Sequence, residues 1–280
     1  MSEDTHWKPY NRVYGNFNQF VPSAEAIRQS GNLYDYATGN PLKFIDLMGT
    51  EIVLIGTEAE QQIILNELNN LVGNNREGAL EGPMIDPILN TRTNENGDVV
   101  VYFAQPPNPN FPQSTELVDR LINNEFTTTI VVRPGKGMAA SRDNDNANRD
   151  GNNFGSGGTV FFDSESRWST EPRIMTVCPD TGNVRPEIRP NFIGLGHELI
   201  HAERYTRGAR FNRDITEEHR FQVDRARRGW WIFSWWSYTY DTRNVPVEEW
   251  ATVGLGFNDD CDITENDLRS EHGLNLRGTY

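Results

Sequence analysis

Apolar residues fall into short β-branched runs and helical spacings, separated by polar turns. Ile52-Val53-Leu54-Ile55 is one such run and predicts a strand. From Glu58 to Val72, Ile64, Leu68 and Leu71 recur four and three apart, and the pattern stops at Gly73, as in an amphipathic helix. Val99 to Phe103 follows the turn signal Asn96-Gly97 and reads as a strand. Ser114 is expected to cap a helix carrying Leu117, Val118, Leu121 and Ile122 on one face. Thr128 to Arg133 and Thr159 to Phe162 are expected as further strands, and Pro190-Asn191 as a helix start with Phe192, Leu195 and Leu199 facing a core. Strands thus dominate the middle and the last third is mixed, which predicts an α+β domain with its active site between sheet and helices.

Two tracts break the pattern. Between Ser141 and Gly158 the chain is rich in Asp, Asn and Gly. Asn146, Asn148, Asp150 and Gly151 have the offsets of a calcium loop, but Gly157 stands where a bidentate glutamate belongs. A solvated loop is the expectation there. Trp230, Trp231, Trp235 and Trp236 form a cluster flanked by Arg225, Arg227 and Arg228. A core hairpin is the preferred reading; a substrate-docking wall and a membrane-dipping loop stay open.

Residues 1–50 are loop-like and aromatic. The stretches Tyr14 to Pro22 and Gly31 to Gly49 resemble the end of an RHS-repeat core, a segment that closes a protein cocoon ahead of a toxin. Asp46 is followed here by Leu47 where that family has proline. The expected division is therefore 1–50 as an RHS-core-end-like segment or linker and 51–280 as the effector domain.

Composition narrows the function classes. The 280 residues carry a net charge of -14, which repels phosphate backbones and makes nucleic acid an unexpected partner. No run approaches the roughly 18 apolar residues of a membrane-spanning helix. The opening residues have neither a basic leader nor an apolar stretch, so no Sec signal peptide is expected. Cys178 and Cys261 have no zinc-finger spacing, and two buried thiols are expected rather than a bridge.

The chemistry concentrates in His197-Glu198-Leu199-Ile200-His201. On a helix, residues four apart share a face, so both imidazoles can meet one cation. Glu198 is rotated about 100° from His197 and flanks the metal, within reach of a water beside it. A catalytic zinc needs a third protein ligand. Glu248-Glu249 follows Pro246, a helix-opening residue, and can bring one carboxylate to the metal while the other orients a histidine. Composition does not decide which is which, and an acidic first turn favoured by the helix dipole accounts for the same pair.

His197-Glu198-Leu199-Ile200-His201-Ala202 followed by Glu248-Glu249-x-x-Thr252-x-Gly254 resembles the clostridial neurotoxin light chains. Over residues 130–280 the chain resembles more closely the NleD-like zinc endopeptidases injected by bacterial type III secretion, which end near a segment similar to Ile263 to Tyr280. The resemblance implies a zincin-like domain with a mixed sheet packed on the H-E-x-x-H helix, and one Zn2+. The second glutamate of the pair is the ligand in the light chains, so His197, His201 and Glu249 are the implied ligands, with Glu248 behind them. An Arg-x-x-Tyr pair faces the scissile carbonyl in that family, and Arg277-Gly278-Thr279-Tyr280 stands at that spacing. Glu198 is then the general base, and Arg277 and Tyr280 stabilise the oxyanion.

The resulting expectation is a bacterial toxin or effector, delivered by a dedicated secretion system, that cleaves a protein in a target cell's cytosol. An immunity or delivery protein is an expected further partner, and a stable membrane span is not expected. The rivals are a docking module that kept the zinc helix without its activity, and an RHS-type cargo with another target.

Overall fold

The computed structural model describes residues 12–14, 20–22, 51–74, 86–149, 154–171, 173–230 and 233–279. The side chains of residues 12–14, 20–22, 168 and 224–236 fall outside that description. The chain divides into two units, Met1–Gly49 and Thr50–Tyr280. In the first, β1 (Arg12–Tyr14) and β2 (Phe20–Pro22) pair antiparallel. The rest of the segment that resembles an RHS-core end lies outside the described residues.

The second unit is mixed α and β. Its largest sheet has six strands. Three run parallel at the centre: β3 (Ile52–Ile55), β6 (Thr128–Val132) and β8 (Gly158–Phe162). On one side lie β5 (Val99–Phe103) and β4 (Leu89–Thr93), both antiparallel to their neighbours; on the other, β7 (Ala139–Arg142) is an antiparallel edge. Burial alternates along β6 and β8, where Ile130, Val160 and Phe162 are covered. The covering elements are α1 (Glu58–Leu71), α2 (Pro112–Ile122) and α3 (Asn191–Thr206).

Local chemistry explains most element ends. Thr57 and Glu60 form a capping box at the start of α1. The start of α2 departs from the sequence reading: Phe111 is the N-cap and Pro112 opens the helix, so Ser114 lies inside it. The buried Ser114 hydroxyl bonds the Glu271 carboxylate instead, which also receives the backbone N–H of Gln113 and Ser114. Proline at the first helical position is favourable because its missing N–H would have no partner anyway.

Beyond the main sheet, β9 (Ile174–Val177) is the centre of a three-stranded sheet between β10 (Val184–Glu187) and β13 (Leu276–Arg277). β11 (Thr216–Trp230) and β12 (Phe233–Pro246) form a long antiparallel ribbon, with Trp230 opposite Phe233 at its far end. The tryptophan cluster therefore falls on a hairpin; whether its side chains form a core lies outside the described residues. The ribbon leads directly into α4 (Val247–Val253), and α5 (Glu265–Glu271) follows. Cys178 is part-exposed and Cys261 exposed, both as free thiols, so the expectation of burial does not hold. Cys178 follows the end of β9, and Cys261 lies in a turn with Arg207 Nη1 3.6 Å from its sulfur, both on irregular segments.

Candidate metal centre

α3 is buried on nearly every side, because it lies between the sheet, α1, α2 and α5. Leu195 and Leu199 enter the core as their spacing predicts, while Phe192 packs at its margin. Gly196 is the point of closest approach to α5. A Cβ there would lie 2.7 Å from Leu268 Cδ1 and 3.2 Å from Leu71 Cδ1. A bare backbone at this position lets α5 come near enough for Glu265 to reach His197.

His197 and His201 lie one turn apart, 2% and 1% exposed, with ring centroids 5.0 Å apart and nearly perpendicular. Glu249 comes from the first turn of α4. Its Oε2 lies 3.2 Å from Nε2 of each imidazole. Ligand atoms of these three residues lie within 4.8 Å of one another, the one such cluster among the described residues.

The opposite ring nitrogens are both occupied by carboxylates. His201 Nδ1 is 2.9 Å from Glu248 Oε1, and His197 Nδ1 is 2.9 Å from Glu265 Oε2. An ionised carboxylate only accepts, so Glu248 and Glu265 each hold a proton on the Nδ1 they face, and a neutral imidazole so oriented keeps its Nε2 lone pair for a cation beside Glu249. In that tautomer three donor atoms converge on one point, as ligands of a single cation would. An N, N, O donor set with carboxylate-backed imidazoles is the chemistry of a catalytic zinc site, so these residues fit that ion.

The carboxylates and imidazoles also shape one another's titration. Burial opposes charge on His201, yet Glu249 and Glu248 push its pKa well above the ordinary imidazole value. Burial would raise the Glu249 carboxyl, but His201 and the bonds from both imidazoles hold it far below the ordinary range. Burial likewise opposes charge on Glu265, and Arg277 first, then His197, overcome it.

The backing carboxylates are themselves held. Glu248 Oε2 accepts the Phe211 N–H at 2.8 Å, and Arg204 lies 3.7 Å away. Thr252 Oγ1 donates to the Glu248 carbonyl at 2.8 Å and lies 3.3 Å from His201 Nδ1. Gly254 ends α4 with φ 90°, a left-handed conformation that glycine adopts without steric cost. These contacts account for the Thr252-x-Gly254 end of the motif. Glu265 receives Arg277 Nη1 at 2.7 Å, with Arg269 Nε 3.3 Å from its other oxygen.

Of the residues the sequence singles out, His197, His201 and Glu249 come together. Glu198 sits next to His197 on the same helix, 7% exposed. Arg277 is 2% exposed and donates to Glu265 and to the Thr279 carbonyl, on the protein side of His197. Tyr280 lies outside the described residues. Sequence reasoning missed Glu265. Its signal was Thr264 followed three residues on by Asp267, which form a capping box and mark a helix whose first residue is Glu265.

Of the calcium-loop offsets, Asn146 lies in a single 3-10 turn at Asp145–Ala147 that Asn144 caps, and Asp150 and Gly151 lie outside the described residues.

Among comparisons with known proteins, a family model described as effector protein, Peptidase_M91, matches residues 111–280. No curated protein matches the chain.

Proposed function

Because the chain belongs to the Peptidase_M91 family of NleD-like effector proteins, we propose that it is a zinc endopeptidase of zincin type that cleaves a protein inside a target cell. The observation that carries the reading is the convergence of His197 Nε2, His201 Nε2 and Glu249 Oε2, with a carboxylate behind each imidazole. Zinc held there would supply Lewis acidity, making water acidic near neutral pH and polarising a peptide carbonyl.

The chain's own residues do the rest. Glu248 and Glu265 fix the proton on each Nδ1 and so keep both Nε2 lone pairs available as donors. Glu198, next to His197 on the same turn, takes the proton of the attacking water as general base and returns it to the leaving amine. Tyr280 provides a donor for the tetrahedral oxyanion, on the order of 3 kcal/mol for a donor of this kind, and Arg277, held by Glu265 and bonded to the Thr279 carbonyl, positions the segment that carries it. The mixed sheet behind α3, with β7 as its edge beside that helix, supports the zincin comparison. Residues 1–50 serve as an RHS-core-end-like lead-in or linker to the effector domain, and delivery uses a dedicated secretion system. Among the described residues no helix is long and apolar enough to cross a membrane.

The test is metal analysis of the purified protein together with a search for new peptide termini in lysate from exposed cells. One zinc per chain and a defined set of new termini, both lost in His201→Ala, are expected. Zinc without any new termini would favour a docking module.

A further inference from the structure

One cavity of about 420 Å³ opens beside the C-terminal end of α3. It is lined by Arg142 at the end of the edge strand β7, by Arg210 and Arg213 after α3, and by Tyr205. Asp143 and Asp145 complete the charged lining, which leaves one net positive charge in a chain of net charge -14. Asp145 is bonded to Arg142 Nη2 at 2.5 Å, so the two acidic groups do not neutralise the set evenly.

Arg210 is the unusual member. It is 5% exposed, and among the described residues its guanidinium donates from Nη1 to the Asn148 Oδ1 at 2.8 Å. Among the described residues neither the buried Arg210 Nε nor the buried Arg142 Nε has an acceptor. Among the described residues no carboxylate lies within ion-pair distance of Arg210, whereas the buried Arg204, Arg269 and Arg277 all have one. The exposed Asp145 feels the Arg210 charge, after that of Arg142, but does not bond to it, and burying a guanidinium without a bonded counter-charge is costly. The planar fork of an arginine, with two N–H groups side by side, matches the geometry of a carboxylate or phosphate.

The cavity also continues the line of the metal centre. Tyr205 is four residues after His201 and eight after His197, so the three share one face of α3, and the Tyr205 ring stacks 6.4 Å from that of His201. One helical turn is about 5.4 Å, and an extended peptide advances about 3.3 Å per residue. A polypeptide lying along β7 at the metal would bring a side chain to the cavity within a few residues.

We infer that this cavity is an oxyanion-recognition subsite, which takes an acidic or phosphorylated side chain of the polypeptide substrate a few residues from the cleaved bond. The substrate half of the inference rests on the peptidase reading; the binding of the oxyanion does not.

The experiment has two arms. In the first, the arginine Nε–H resonances of the full chain carrying Glu198→Gln are followed by NMR during titration with inorganic phosphate, acetate or chloride at constant ionic strength. Saturable shifts of Arg210 and Arg142 Nε–H with phosphate or acetate are expected, and the stronger of the two identifies the source. Arg210→Gln and the exposed Arg213→Ala should each weaken binding about tenfold or more, as loss of a charged hydrogen bond does. Arg213→Ala serves as the surface variant if Arg210→Gln fails to fold. Shifts equal to the chloride control would overturn the inference.

The second arm profiles cleavage of a peptide library with the wild-type protein. Enrichment of an acidic or phosphorylated residue at one fixed position is expected, lost in Arg213→Ala while uncharged peptides turn over as before. Cleavage without that preference overturns the subsite. Ion binding with no cleavage of any peptide leaves the oxyanion site standing and removes the peptidase reading.

Discussion

Two imidazoles share one carboxylate oxygen at 3.2 Å, and each is backed by another carboxylate at 2.9 Å. This asymmetry assigns different work to chemically identical side chains. Glu249 faces both Nε2 atoms and stands with the proposed ligands, whereas Glu248, its neighbour in sequence, turns to Nδ1 of His201 and to the Phe211 N–H. Replacing Glu248 with Gln should therefore leave a zinc site whose affinity falls about 10- to 100-fold, measured by competition with a chelator. An unchanged affinity would remove Glu248 from that role. Glu198→Gln separates metal binding from chemistry: zinc content should stay at the wild-type level while peptide turnover falls on the order of 100-fold or more. Equal turnover in that variant would require another base.

At the scale of elements, the site is assembled by helix α5 meeting α3 at Gly196. Gly196→Ala puts a methyl group 2.7 Å from Leu268 Cδ1 and 3.2 Å from Leu71 Cδ1 in a buried contact. Overpacking of this kind costs about 1–3 kcal/mol, read by chemical denaturation, and here it should also weaken zinc binding because α5 carries Glu265. Wild-type stability in the variant would mean that the contact relaxes freely. Strands with continuous β-branched runs were legible in the sequence: Ile52–Ile55 and Val99–Phe103 occur as expected, and α4 begins directly after Pro246. Leu89–Thr93 was not, since its polar Asn90, Thr91 and Arg92 carry no strand pattern and it is held by pairing to β5. α5 escaped notice for a related reason: seven residues are too few to show a helical period, so only its capping box announces it. Two of the three proposed ligands sit on one helical turn and follow from local spacing. Glu265 meets His197 across 68 residues, a relation that no local pattern encodes.

Across the second unit, distant segments are tied together by charges close to the site. Asp262 binds Arg204 at 3.0 Å and Arg207 at 2.7 Å, and Arg207 also holds Glu203. Burial opposes the charge on Asp262, but Arg204 and Arg207 hold its carboxyl below the ordinary value of 3.8. A carboxyl depressed in the folded state stabilises fully above its unfolded pKa, and that contribution is lost as pH falls through the folded pKa. Asp262→Asn should therefore lower stability at neutral pH, with the gap to wild type closing below about pH 4 in denaturation curves. A gap constant down to strongly acid pH would contradict the linkage. The claim on which all of this turns is that His197, His201 and Glu249 hold one zinc ion. X-ray absorption at the zinc edge of the purified full chain tests it most directly. The account predicts about one zinc per chain with nitrogen and oxygen neighbours at about 2.0–2.2 Å, two of them imidazole, and loss of that signature in His201→Ala. A sulfur shell, or the same spectrum in the variant, would contradict it.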